Sequence, residues 1–196
     1  MRRPSLPLII GLGNPGSNYA HTRHNVGFDT IDLSAAFFHK KLRKRCFRLY
    51  NQVSFTLNKE QVTFVQPLTY MNNSGKVAKY FIPKPFSVDN TIVVCDNLDL
   101  PVGEIRIRQG GGSAGHRGLA SFMNELSSGD FIRIYIGIGR PSKGLSVIDH
   151  VLGRAEGDEK EALQKSIARA QQMIIRYIHG SSIQELANEF HSKHSH

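Results

Sequence analysis

The stretch IIGLGNPGSNYAHTRHNVG, residues 9–27, decides how the chain begins to fold, because a short apolar run ends abruptly in glycines. Three of these glycines spell G-x-G-x-x-G, the pattern of a dinucleotide-binding turn: Gly11, Gly13 and Gly16. That interpretation requires a helix opening at the third glycine and an acidic residue at the end of a second strand. Residues 17–25 show no apolar period, and Asp32 falls inside a predicted helix. The stretch therefore predicts a strand, a sharp turn and a polar loop.

Short apolar runs bounded by Gly, Pro, Asn or Asp recur along the chain and predict strands. They cover residues 8–10, 46–50, 53–57, 62–65, 92–95, 105–108 and 132–138. Apolar residues at helical spacing predict helices over 26–42, 73–81, 116–126, 158–179 and 183–190. Strands alternating with helices predict an α/β fold: a single-domain three-layer sandwich with a twisted, mixed and largely parallel β-sheet flanked by helices. We expect one domain over residues 1–196, with a frayed tail from about 190.

Composition narrows the classes of function. The chain carries 25 Lys and Arg against 16 Asp and Glu, and its net charge of +9 favours a polyanionic partner such as nucleic acid. No apolar run approaches the roughly 20 residues of a membrane span, and the basic N-terminus is not followed by an extended apolar segment, so neither a membrane span nor a secretory signal is expected. The two cysteines, Cys46 and Cys95, fall in predicted strands and are too few for a zinc cluster. A cytoplasmic protein is expected.

Polar segments follow several predicted strands. Besides the opening stretch, they are QPLTYMNNSG, DNLDLPVG and the glycine-rich segment before His116. Ligands gather at the carboxyl ends of strands in open α/β sheets, so these segments predict one site. A His, an Asp and several carboxamides suit attack of water on an activated ester, with His as general base and Asp fixing its tautomer. The alternative for the first segment is a solvated loop in which Asn25 caps the helix beginning at Val26.

A serine nucleophile is a second alternative. GGSAG, residues 111–115, matches the G-x-S-x-G nucleophile elbow between a predicted strand and a predicted helix. However, the run of glycines at 110–112 suits a mobile or closely approached loop better than one strained turn that must fix Ser113.

Five segments in order resemble the signatures of bacterial-type peptidyl-tRNA hydrolases. They are GLGNPGSNYAHTRHNVG, QPLTYMNNSGKVA, DNLDLPVGEIRIRQGGG, AGHRGL and RIYIGIGRP, and VIDHVLG continues the match. The resemblance implies a monomeric α/β sandwich that needs no metal or cofactor. It also implies that the protein binds the acceptor stem and 3′ end of peptidyl-tRNA and hydrolyses the ester joining the peptide to the 3′ ribose.

The resemblance assigns roles to residues within these motifs. His24 would be the general base, Asp96 would hold and polarise it, and Asn14 would contact the substrate. A second group would line the groove for the peptide and the terminal nucleotide: Tyr19, Tyr70, Met71, Asn72, His116 and Arg117. Phosphate contacts are expected from Arg106, Arg108 and Arg133.

Two residues depart from the family pattern. Arg117 stands where the family usually carries Asn, and Tyr135 stands where a second basic residue often grips the 5′ phosphate of the tRNA. Neither departure changes His24 or Asp96. The rival hypothesis is a non-catalytic RNA-binding relative, similar to organellar splicing factors of this family, which retained the fold and lost the substrate fit.

Overall fold

The computed structural model describes residues 7–82 and 86–191, and its strands form one seven-stranded sheet. The strands are β1 (Leu8–Gly11), β2 (Arg43–Lys44), β3 (Tyr50–Leu57), β4 (Glu60–Pro67), β5 (Thr91–Asn97), β6 (Ile105–Gln109) and β7 (Ile132–Gly137). Their spatial order is β2-β3-β4-β1-β5-β7-β6. The β4-β1-β5-β7 pairs are parallel, whereas β2-β3, β3-β4 and β6-β7 are antiparallel. The predicted mixed, largely parallel sheet is confirmed.

Helices cover both faces of the sheet, as the predicted sandwich requires. The α-helices are α1 (Val26–Phe37), α2 (Arg117–Leu126), α3 (Val147–Leu152), α4 (Gly157–Ile178) and α5 (Ile183–Phe190). Helices α1, α4 and α5 pack on one face, and α2 packs on the other with the 3₁₀ helix Met71–Tyr80. Among the described residues, no helix combines the length and apolar character that crossing a bilayer requires.

Alternation along the strands divides the core between these two faces. In β5, Ile92 and Val94 pack toward α1 and α4, while Val93 and Cys95 pack toward α2. All four side chains are fully buried. This period-two pattern is the reason that a nearly continuous apolar run forms a central strand covered on both sides.

The glycines of the opening stretch allow α1 to cross β1 almost backbone to backbone. A Cβ on Gly11 would lie 2.2 Å from the Gly27 carbonyl oxygen, and a Cβ on Gly27 would lie 2.5 Å from the Leu12 nitrogen. After Gly16 the chain makes two short 3₁₀ turns, and α1 opens only at Val26. These glycines therefore serve helix-strand packing, and the expected absence of a dinucleotide-type helix at Gly16 is confirmed.

Residues 46–50 do not form the predicted strand. Residues 46–49 make a turn between β2 and β3, in which Cys46 is exposed and Phe47 has a positive φ of 55°, and only Tyr50 is in a strand, as the first residue of β3. The prediction failed because these apolar residues lie in a tight connection and only Tyr50 reaches the core. Cys95, in contrast, is buried in β5 as predicted.

Other element boundaries also differ from the predictions. Helix α1 ends at Phe37 rather than at residue 42, and the segment predicted as a helix over 73–81 is the 3₁₀ helix Met71–Tyr80. Within the segment predicted to be frayed, Phe190 is buried in α5 and His191 accepts a 2.7 Å hydrogen bond from the Ile107 amide. The rest of the predicted tail, residues 192–196, lies outside the described residues.

Candidate active site

A cleft of about 600 Å³ opens at the carboxyl ends of the parallel strands. Eight of the residues predicted to form the site line it together: Asn14, His24, Tyr70, Met71, Asn72, Asp96, His116 and Arg117. They come from four separate segments: the parallel register of β4, β1 and β5 brings three of them to one edge, and the glycine loop after the antiparallel β6 returns His116 and Arg117 to it. Tyr19 stands beside this group, with its ring 6.3 Å from that of Tyr70.

Asp96 lies at the centre of the site, at the end of β5, and only 3% of its surface is exposed. Its Oδ1 atom lies 2.7 Å from Nδ1 of His24 and 3.1 Å from Nε2 of His116. The two imidazole rings lie 5.2 Å apart. One carboxylate oxygen thus holds both histidines, although sequence analysis had placed His116 only in the substrate groove.

The tautomer of His116 follows from its position before α2. Its Nδ1 atom accepts hydrogen bonds from the backbone amides of Gly118 and Leu119, as an N-cap does. Because Nδ1 accepts, the proton is on Nε2, which donates to Asp96. His116 therefore anchors the start of the helix and helps to fix the carboxylate.

The same logic assigns the nitrogens of His24. Its Nδ1–H donates to Asp96, so that Nε2 is the nitrogen able to accept a proton from a molecule in the cleft. Burial alone would favour the neutral carboxyl of Asp96. The facing charges and hydrogen bonds of His24 and His116 outweigh burial and hold the pKa of Asp96 well below its usual range.

The loop that carries His24 is tied to the segment before α4. Arg23 donates from Nε and Nη2 to the two oxygens of Glu159, at 2.7 and 2.8 Å, and its amide donates to the Gly153 carbonyl at 3.0 Å. The hydrogen bonds from Arg23 hold the pKa of Glu159 below its usual value. Arg154 donates to the Ala20 carbonyl at 3.0 Å. These bonds fix the backbone next to the proposed base.

Asn14 and Asn25 lock each other across the glycine turn. The Asn14 amide donates to the Asn25 side chain at 2.9 Å, and the Asn25 side chain donates to the Asn14 carbonyl at 3.0 Å. The alternative that the Asn25 side chain caps α1 is wrong, because it makes no cap hydrogen bond there. Oδ1 of Asn14 accepts from the Met71 amide at 2.8 Å, which orients the Asn14 carboxamide at the cleft wall.

The three arginines predicted to contact phosphate have different environments. Arg106 and Arg108 are exposed on the edge strand β6. Arg133 is fully buried and donates to the carbonyls of Gly111, Gly112 and Gly129. The prediction for Arg133 is therefore wrong for this structure, because its guanidinium braces the base of the glycine loop instead of facing solvent.

The structure adds residues to the cleft that sequence analysis missed. They include Asp99 with its ion-pair partner Arg140, the buried Tyr135, and the exposed apolar side chains of Val147 and Ile148 on α3. The VIDHVLG motif was the available signal for α3, but its spacing does not show that two apolar side chains stay outside the core. Arg117 is exposed at the first position of α2, next to His116.

His24, Asp96 and His116 also form a group that could hold a metal ion. One donor atom from each lies within 4.8 Å of the others. Two imidazoles and one carboxylate suit a transition metal. In the hydrogen-bonded arrangement described here, the nitrogens facing Asp96 carry protons, so metal binding would require both to lose them.

Comparisons with known proteins identify the family to which the chain is similar. The family model described as Peptidyl-tRNA hydrolase matches residues 8–196. A peptidyl-tRNA hydrolase of Dehalococcoides mccartyi strain CBDB1 is 40% identical over 189 residues, covering 94% of this chain and 99% of that protein. One from Limosilactobacillus fermentum is 38% identical, covering 94% of this chain and all of that protein.

Solved structures of peptidyl-tRNA hydrolases also resemble this chain. The crystal structure of peptidyl-tRNA hydrolase from Acinetobacter baumannii superposes with a TM-score of 0.85 at 31% identity, covering 95% of each chain. A family match over residues 8–196, together with relatives about 40% identical along nearly the full length, establishes that this chain belongs to the peptidyl-tRNA hydrolase family.

Proposed function

We propose that this protein hydrolyses the ester between the peptide and the 3′ ribose of peptidyl-tRNA, with His24 as the general base. The observation that carries the proposal is the 2.7 Å contact between His24 Nδ1 and the buried Asp96 carboxylate, at the wall of an open cleft. This contact leaves Nε2 free to take a proton. Asn14, Asp96 and His24 form the catalytic group.

The reaction needs only water and the ester. Nε2 of His24 accepts a proton as the water oxygen attacks the ester carbonyl carbon, and Asp96 stabilises the imidazolium that forms. As the carbon–oxygen bond to the ribose breaks, the imidazolium returns the proton to the leaving 3′ oxygen. The products are a peptide with a free carboxylate and a tRNA with a free 3′ hydroxyl.

The cleft walls divide between the two parts of the substrate. Tyr19, Tyr70, Met71 and Asn72 offer aromatic, apolar and carboxamide surfaces for the peptide and terminal nucleotide. Beside Met71, at the start of α2, His116 is held by Asp96, and the exposed Arg117 brings a cation suited to a phosphate. We also propose that the protein is cytoplasmic, since its proposed substrate is an intermediate of translation, and that it acts as a monomer, as the family resemblance implies.

The first test is His24→Ala. General-base catalysis contributes about 10²–10⁴ in rate, so turnover of N-acetyl-aminoacyl-tRNA should fall by that factor while tRNA affinity stays close to wild type. Ser113→Ala is the matched control, because the serine-esterase alternative requires that hydroxyl. We expect near-normal activity from this control and no labelling of wild type by a serine-directed probe. Turnover of His24→Ala within about threefold of wild type would reject the assignment.

The non-catalytic alternative is tested with the same wild-type protein. Release of tRNA from N-acetyl-aminoacyl-tRNA, but not from free aminoacyl-tRNA, supports the enzyme. Binding of both RNAs without release would support the RNA-binding relative. His24, Asp96, Asn14 and Asn72 are all retained and line the cleft, which favours the enzyme.

A further inference from the structure

Residues 40–48, KKLRKRCFR, form a strongly basic exposed segment outside the cleft. Six of these nine residues are cations, against a net charge of +9 for the whole chain: Lys40, Lys41, Arg43, Lys44, Arg45 and Arg48. All six are exposed. None of them forms an ion pair with a carboxylate in the described part of the chain. We call residues 40–48 the basic segment.

An exposed aromatic ring stands among these cations. Phe47 is 99% exposed, and its backbone φ is 55°, a conformation that is uncommon for a bulky residue. Neither packing nor conformational preference accounts for Phe47 at this position. An aromatic face flanked by cations is the combination with which proteins bind single-stranded nucleic acid, since the ring stacks on a base and the cations contact phosphates.

The basic segment lies at the same end of the sheet as the cleft. Tyr50, which begins β3 directly after it, pairs with Pro67 at the carboxyl end of β4. The Leu49 carbonyl accepts a 2.7 Å hydrogen bond from the Leu68 amide, and the cleft residues Tyr70, Met71 and Asn72 follow almost at once. Three strand spacings separate β2 from β1, a distance of about 14 Å that a few nucleotides can span.

One further cation, Lys79, adjoins the basic segment at the ring of Tyr80. The Arg48 guanidinium lies 4.7 Å from the centre of the Tyr80 ring, and the Lys79 ammonium lies 5.5 Å from it. Both contacts are at the end of the 3₁₀ helix Met71–Tyr80, whose first residues line the cleft. The 3₁₀ helix Met71–Tyr80 therefore connects the cations at its end with the cleft residues at its start.

We infer that the basic segment is a second RNA-binding surface, which contacts the phosphate backbone of the tRNA substrate outside the cleft and stacks Phe47 on an unpaired base. This inference rests on the proposed function for the identity of the RNA. The cleft, at about 600 Å³, has room for only a small part of a tRNA, so the remainder must pass over its rim. The cations of the basic segment, which form no ion pairs with carboxylates among the described residues, would attract the phosphates of this part of the tRNA.

The test compares two variants with a matched control. Lys41→Gln/Lys44→Gln removes two cations from the basic segment, and Phe47→Asn removes the ring but keeps a residue that tolerates positive φ. Lys59→Asn/Lys165→Gln removes two exposed cations elsewhere, one at the opposite end of the sheet and one on α4. Binding of uncharged tRNA is measured by fluorescence anisotropy at several salt concentrations, and hydrolysis is measured on N-acetyl-aminoacyl-tRNA and on an N-acetyl-aminoacyl ester of adenosine.

The expected results separate charge from stacking. Lys41→Gln/Lys44→Gln should reduce the slope of log affinity against log salt by about two. Phe47→Asn should weaken tRNA binding about fivefold or more at every salt concentration without changing that slope. Both variants should hydrolyse the adenosine ester like wild type, and the control pair should match wild type in tRNA affinity and salt slope.

Several results would overturn the inference. The first is that both variants keep the tRNA affinity and salt slope of wild type. The second is that the control pair loses as much tRNA affinity as the variants do. The third is that the variants bind ribosomal RNA more weakly but bind tRNA as wild type does. Failure of the proposed function gives a different pattern. In that case wild type hydrolyses neither substrate, and the tRNA binding data still decide whether the basic segment holds RNA.

Discussion

Asp96 is the residue on which the site depends most, because one of its oxygens accepts hydrogen bonds from two histidines. Asp96→Asn keeps the size of the side chain but removes the charge that stabilises an imidazolium at His24. We expect kcat for N-acetyl-aminoacyl-tRNA to fall by about 10²-fold or more, with KM nearly unchanged. A variant with kcat close to wild type would show that the His24–Asp96 contact is structural only.

The ionisation of Asp96 also predicts how its contribution to stability depends on pH. The pKa of Asp96 is lower in the folded protein than its ordinary value of 3.8, so the anion stabilises the folded state above that value. This stabilisation of the folded state is lost as the pH falls from 3.8 toward the lower pKa that Asp96 has in the folded protein. Chemical denaturation should therefore show that the stability difference between wild type and Asp96→Asn is largest near neutral pH and shrinks in acid. A difference that grows in acid would contradict this assignment.

Individual site residues could be predicted to the extent that they sit in local motifs. Asp96 lies at the end of β5 and Asn14 follows β1 closely, so their meeting at one sheet edge could be foreseen from parallel pairing, and His24 lies on the loop that continues from Asn14. The His116–Asp96 hydrogen bond could not, because it depends on how the glycine loop returns to the end of β5. Arg133 was misassigned for a related reason: alternation along β7 does not reveal that a cation is enclosed by loop carbonyls.

Among the secondary-structure elements, we attribute the 3₁₀ form of the helix Met71–Tyr80 to its close packing against α2. Its sequence has a helical apolar period, yet Gly75 must approach α2 so closely that a Cβ there would lie 2.2 Å from the Ser121 carbonyl oxygen. The Gly75 amide also donates to the Ser121 hydroxyl at 3.0 Å. The central strands β1, β5 and β7 were predicted because burial on both faces leaves a clear apolar run, whereas the close contact at Gly75 leaves no such signal in the sequence.

Gly75→Ala tests that close approach. The added methyl group meets backbone rather than a flexible side chain, so we expect a loss of about 1–3 kcal/mol in the free energy of unfolding. Gly112→Ala is the control, since a Cβ at Gly112 meets nothing within 4 Å. Urea denaturation of both variants measures the difference, and equal stabilities would show that α2 can move aside without cost.

For the molecule as a whole, the exposed arginines of β6 lie beyond β5 and β7, on the side of the cleft opposite β2. If Arg106 and Arg108 contact phosphates, Arg106→Gln/Arg108→Gln should reduce the salt slope of tRNA binding by about two. The comparison is with Lys59→Asn/Lys165→Gln, which also removes two exposed charges. A slope equal to that of wild type would leave the positive charge of this edge without a role in RNA binding.

The two cysteines differ in a way that makes the folded protein easy to label. Cys46 is exposed within the basic segment, whereas Cys95 is fully buried beside Asp96. Burial, reinforced by the neighbouring carboxylate, raises the pKa of the Cys95 thiol and keeps it unreactive. A maleimide dye should therefore attach at one position without mutagenesis, and its fluorescence would report when a nucleic acid arrives beside Phe47.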